Sequence, residues 1–221
     1  MFRIDDTARN IELWMVKKQM NLNGEGEDIV MCGYISQPEG ENSCGAYSLA
    51  YYLWATEQKP YSVETGRAVV DNIYKEIQFK GTDAEEAANR VNLNPEYSNP
   101  AAMVKYLNDR SLCAKMYMSG ESFLNDIAMR LSINVDIKED VLETLSTDIY
   151  VIIICSIGEP TQLQLHYMLV KKEGGAFQLM DSRNPEGGVC WKSFLRNPDQ
   201  KITFGDMKSD YTYTGAGILI G

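Results

Sequence analysis

Cys44 opens the run CGAYSLAYYLW directly behind the polar stretch QPEGENS, so a thiol stands where a loop meets an apolar, helix-like segment. At the first turn of a helix the backbone N–H groups are unpaired and the dipole end is positive. Both favour thiolate over thiol, which makes Cys44 a candidate nucleophile. His166, the only histidine of the chain, lies in LQLHYMLV, and Asp181 lies in AFQLMDSRNP one hairpin later. A nucleophile on a helix, a base on a strand and a carboxylate on the next strand form the sequence of parts that acyl-transfer chemistry uses.

Each residue also has a purely structural reading. Cysteine is among the most buried residue types, a strand histidine can simply pack, and Asp181 can open the DSRNP turn. What joins the three is their order and setting. No other histidine is present to serve as a base near neutral pH.

The elements that must position these residues follow from local pattern. Ile11 to Met20 reads as a short helix and Gly24 to Asp28 as an acidic glycine turn; Ile29 to Ile35 then delivers the chain to Gln37. After the Cys44 helix, Pro60 marks a break. Val63, Val69, Val70, Ile73 and Ile77 recur at helical spacing up to Phe79. Thr82 and Glu85 have the form of a capping box for a helix ending near Val91, and Asn99-Pro100 pairs an N-cap with a proline at N1. Cys113 to Met118 reads as a strand, and Ser119 to Ile133 and Lys138 to Leu145 as amphipathic segments. From Asp148 the chain turns β-rich: Ile149 to Ile157, Leu165 to Lys171, Ala176 to Met180 and Thr214 to Ile220 are strand-like, with Gly174-Gly175 as a hairpin turn. The expected fold class is α+β. A mainly helical lobe over 29–147 and a mainly β lobe over 148–221 are expected in a single domain, with 1–28 as an N-terminal extension.

With 221 residues the chain can bury a sizeable core, and its net charge of −10 without a Lys/Arg block argues against nucleic acid or an anionic membrane surface as partner. Five scattered cysteines without a CxxC pair, and apolar surroundings for Cys113 and Cys155, point to reduced thiols and offer no zinc site. The start, MFRIDDTARN, has no apolar signal core, and no run is long enough to span a bilayer. The expectation is a cytoplasmic protein, or one exported without a cleavable signal peptide, with no membrane insertion. The aromatics Tyr47, Tyr51, Tyr52 and Trp54 read as core, and the acidic runs as solvated faces.

Several motifs in this order resemble the papain-like cysteine hydrolases, in particular their compact bacterial branch that includes the double-glycine leader peptidases. They are the Gln-loop-Cys-Gly helix start, the helix entered through SNPAAMVKYLNDRSL, the buried strand IYVIIICS, and the His-aromatic-apolar strand followed by an Asp-x-x-x-Pro turn. The resemblance spans Tyr34 to Pro185. It implies a papain-like fold with Cys44 as nucleophile, His166 as base, Asp181 as orienting group and Gln37 as oxyanion donor beside the Cys44 N–H. Six residues separate Gln37 from Cys44 where the family pattern has five, so this loop must bulge. Asn184 is a second candidate for the orienting role.

The resemblance implies a cysteine peptidase or amide hydrolase that works through a thioester, needs no cofactor and acts on a protein or peptide. Two other readings stay open. Small acidic papain-like proteins include bacterial effectors and toxins that deamidate or transamidate glutamine side chains, and the same scaffold can serve as an inactive interaction module. The sequence does not specify oligomeric state.

Overall fold

The computed structural model describes residues 33–138, 140–147, 149–158, 163–183, 188–204 and 207–221. The expected helix Ile11–Met20, the turn Gly24–Asp28 and the alternative Asn184 lie outside these residues. In chain order the helices are α1 (Cys44–Ala55), α2 (Val63–Ile77), α3 (Gly81–Val91), α4 (Pro100–Asn108) and, after strand β1 (Ala114–Met118), α5 (Leu124–Arg130). Strands β2 (Asp136–Ile137), β3 (Tyr150–Ile157), β4 (Leu165–Glu173), β5 (Ala176–Met180), β6 (Lys192–Ser193), β7 (Leu195–Arg196), β8 (Lys201–Phe204) and β9 (Met207–Ile220) follow. The protein is therefore mixed α+β, with five helices and a large, mostly antiparallel sheet among the described residues.

The sheet runs β2-β1-β9-β3-β4-β5-β6, with β8 joining β9 to β7. Among the described strands β1 and β2 pair parallel and the other pairs are antiparallel. The central strand β3, YVIIICSI, is buried on both faces, which its β-branched run suits. Ile152 and Ile154 join Tyr167, Leu169 and the helix α1 in one core. Val151, Ile153 and Cys155 join Met168, Val170 and Leu179 in the other, covered by Val141, Leu142, Leu145, Phe194 and Ile202.

Helix α1 is the buried axis of the first core, since every residue from Cys44 to Trp54 is buried. A helix apolar on all sides is stable only when surrounded. Tyr47, Tyr51, Tyr52 and Trp54 are core residues, as their spacing indicated. Helix α4 begins as expected: the Asn99 side-chain oxygen accepts the Ala101 N–H at 2.9 Å, with Pro100 at the first position.

Other expectations need correction. Thr82 caps nothing, because the extended backbone at Lys80 starts α3 earlier and the Lys80 carbonyl accepts the N–H of Asp83. Only Leu124–Arg130 of the segment Ser119 to Ile133 is α-helix. Within the amphipathic segment Lys138 to Leu145, residues 141–144 form turns: Asp140 accepts the Leu142 N–H at 2.8 Å and pairs with Arg196, so side chains hold the backbone while Val141, Leu142 and Leu145 are buried. Cys113 is exposed rather than apolar in setting; Cys155 is buried, and both are free thiols. The last strand is longer than the expected Thr214 to Ile220, reaching back to Met207.

That extension contains a bulge. Ile154 pairs with Ala216, but Cys155 pairs with Tyr213, so Thr214 and Gly215 are extra residues on β9. Gly215 has φ +77°, and a Cβ there would stand 2.8 Å from the Ser119 Cβ. The loosened backbone groups are taken up locally, the Thr214 hydroxyl donating to Ile154 O and Ser122 to Thr214 O. The bulge slides Tyr213 and Tyr211 along β3, setting Tyr211 opposite Ile157.

Candidate active site

Cys44 is the first residue of α1, after Ser43, whose side chain makes no cap bond to the helix N–H groups. The end of the helix is thus left for another acceptor. On β4, His166 stands opposite Cys155 of β3 and is 1% exposed. The β4–β5 ladder ends at Leu169 with Met180, and Asp181 leaves β5 at once to meet His166: Nε2 lies 2.7 Å from Asp181 Oδ1. This fixes Nδ1 as the nitrogen available to Cys44. The structure brings Cys44, His166 and Asp181 together although they lie on three separate elements: His166 is hydrogen-bonded to Asp181 and close enough to Cys44 to perturb its thiol.

The electrostatics follow from these contacts. Burial opposes ionisation of the Cys44 thiol, but the hydrogen bond and charge of His166, with the N–H groups of Tyr167 and Gly45, outweigh it and lower the pKa. Burial likewise pulls the His166 pKa down, and the bonds to Asp181 and Cys44 overcome it, raising the value to about 9. Burial would raise the Asp181 pKa; His166, the Arg183 N–H and the Tyr211 hydroxyl together lower it. All three shifts favour thiolate, imidazolium and carboxylate in a row.

Gln37 belongs to the same neighbourhood through the residue after Asp181. The Gln37 N–H donates to Ser182 O, and Ser182 Oγ donates to Gln37 Oε1, both at 2.8 Å. Its Nε2 donates to Glu41 O within the loop. Since an amide nitrogen carries two hydrogens, one remains for a further acceptor. The loop between Gln37 and Cys44 makes a turn in which Gly40 has φ +80° and the Glu41 N–H reaches Pro38 O. Glu41 is in turn clamped by Arg67 at 2.7 and 2.9 Å and accepts Ser43 Oγ at 3.0 Å. Arg67 and Glu41 are 43% and 32% exposed, so this pair is worth ~0–1 kcal/mol and serves chiefly to fix the loop.

Close packing holds α1 against the rest of the site. A Cβ on Gly45 would lie 2.5 Å from Ser98 Oγ and 2.6 Å from Ser98 Cβ, and the Ser98 carbonyl accepts the Tyr167 hydroxyl at 3.0 Å. The glycine after the cysteine is therefore a packing requirement that locks α1, the turn before α4 and β4 together.

Two residues of the site were not foreseen. Ser182, 1% exposed, follows Asp181 and offered only its position as a signal. Tyr211 gave no signal, lying 30 residues beyond Asp181, yet its hydroxyl donates to Asp181 Oδ2 at 2.8 Å and its ring stacks on His166 with centroids 5.3 Å apart at 13°. Among the described residues no three His, Cys, Asp or Glu side chains converge as a metal ion would require. None of the described helices is long and apolar enough to cross a membrane.

No protein-family model matches the chain, and none of the curated proteins matches it. Among solved structures, the crystal structure of the Pseudomonas avirulence protein AvrPphB aligns with 72% of this chain and 79% of its own, at 12% identity and a TM-score of 0.35. A likeness of that degree carries no weight for fold or chemistry.

Proposed function

We propose that this protein is a cysteine hydrolase, a thiol peptidase or amidase acting on a protein or peptide through a thioester. The observation that carries the reading is the 2.7 Å bond between His166 and Asp181 beside Cys44, whose thiol His166 biases toward thiolate against the cost of burial. In the reaction, Cys44 Sγ adds to the carbonyl carbon of an amide, and the oxyanion is met by the Cys44 N–H at the helix start and by the remaining Gln37 amide hydrogen. His166 gives its proton to the amine as the C–N bond breaks, leaving an acyl-thioester. Water then attacks this ester while His166 takes its proton, and the thiolate is released. Asp181 holds the imidazole in the required orientation throughout.

The same steps on a glutamine side chain release ammonia, so peptide cleavage and deamidation share this machinery and differ in product. The test is incubation with peptide libraries and candidate proteins, read by intact mass. Cleavage splits the substrate; deamidation leaves it whole and adds about one mass unit. Cys44→Ala is expected to abolish either change. Gln37→Ala is expected to cost about 3 kcal/mol of barrier, a fall of roughly 100-fold in kcat. Turnover that survives Cys44→Ala contradicts the reading, and a chain with no turnover and an ordinary Cys44 is an interaction module.

A further inference from the structure

We infer that Tyr211 is a positioning residue that fixes the Asp181 carboxylate and the His166 ring as one unit, an inference that rests on Cys44, His166 and Asp181 being the reactive centre. Two independent contacts carry it. The hydroxyl donates to Asp181 Oδ2 at 2.8 Å, and the ring lies nearly parallel to the imidazole, centroids 5.3 Å apart. One side chain thus touches both partners of the His166–Asp181 bond.

The division of the carboxylate explains why the hydroxyl matters. Oδ1 takes His166 Nε2 and the Arg183 N–H, whereas Oδ2 takes the Tyr211 hydroxyl. Without that donor the carboxylate is held through Oδ1 alone and Oδ2 has no fixed partner. It also loses a hydrogen bond to its charged form. Burial, with the Asp181 charge next, raises the Tyr211 pKa, so the phenol keeps its proton and stays a donor. The other titratable or charged groups facing this assembly are Cys44 and Tyr51 on α1, Cys155 on β3 and Arg183 after β5.

Tyr211 reaches this place because of the β9 bulge. Counting back from the Ile154–Ala216 pair without the two extra residues, Tyr213 would face Ile157 and Tyr211 would lie beyond the end of β3. The bulge brings Tyr211 level with Ile157 and buries it to 8% exposure, at the end of the sheet where Asp181 leaves β5.

The test is the pH profile of Cys44 alkylation by iodoacetamide, resolved by site, in wild type, Tyr211→Phe and Tyr211→Leu. The phenylalanine variant keeps the stacked ring and loses only the hydroxyl. Its acid limb is expected to move to higher pH, so that Cys44 reacts about 5-fold or more slowly on that limb, while exposed Cys113 is unchanged. Tyr211→Leu, which also loses the stack, is expected to slow it further. Superimposable profiles for wild type and Tyr211→Phe overturn the inference. So does alkylation of buried Cys155 in Tyr211→Phe, since it would mean the hydroxyl holds the fold. A wild-type Cys44 no faster than Cys113 at acid pH overturns the reactive-centre reading itself.

Discussion

Cys44 and His166 share one proton, and its place alters how the protein responds to pH. His166, whose pKa is raised against burial by Asp181 and Cys44 from 6.5 to about 9, adds stability below pH 6.5 that is lost as pH rises through about 9. Cys44 alone, with its pKa lowered from 9.0, would add stability above that value that is lost as pH falls through the folded one. In the pH range where both shifts act, the folded pair tends toward imidazolium and thiolate, whereas the unfolded chain holds imidazole and thiol. The number of bound protons is then nearly the same, and the two slopes largely cancel. Cys44→Ser removes one slope and leaves the other, because Asp181 still holds the His166 proton. Its melting temperature, measured against wild type across pH, is expected to fall progressively above about pH 6.5. A difference curve that stays flat there would mean that His166 takes up no proton on folding.

At the scale of elements, α1 has one place where its packing is close to the limit. Alanine at Gly45 would gain up to ~1 kcal/mol in helix propensity but force a Cβ against both heavy atoms of the Ser98 side chain. Ser98 is 1% exposed and its carbonyl holds Tyr167, so it has little room to yield. Overpacking of this kind costs ~1–3 kcal/mol, and the upper part of that range outweighs the propensity. Gly45→Ala is therefore expected to lower the melting temperature; an equal or higher value would show that the Ser98 turn gives way. Elements with local causes were legible in the sequence: the α4 cap is written in Asn99-Pro100, α1 and α2 in apolar spacing, and the β4–β5 hairpin in Gly174-Gly175. The short strands β6, β7 and β8 were not, because two to four residues carry no period and their partners are distant in sequence. Thr82 misled for a related reason: a local motif was overridden by the backbone at Lys80.

Across the whole molecule the site exists because a buried helix, a central strand and a strand end converge, and the residues that converge were the ones whose chemistry is scarce. A single histidine and a cysteine at a helix start stand out in any sequence. Tyr211 and Ser182 do not, because their roles depend on a bulge 60 positions after Ile154 and on a loop that crosses from Gln37 to the end of β5. Hydroxyl groups are common, and only register selects these two. On the proposed reading this assembly holds an imidazolium beside a thiolate. Because His166 is the only histidine, its ring gives one unambiguous pair of NMR signals, and the most direct measurement is their titration in wild type and Cys44→Ala. The ring is expected to stay protonated past neutrality, losing its proton at about pH 9, and to titrate lower in Cys44→Ala. A ring that titrates near 6.5 in both proteins would contradict it.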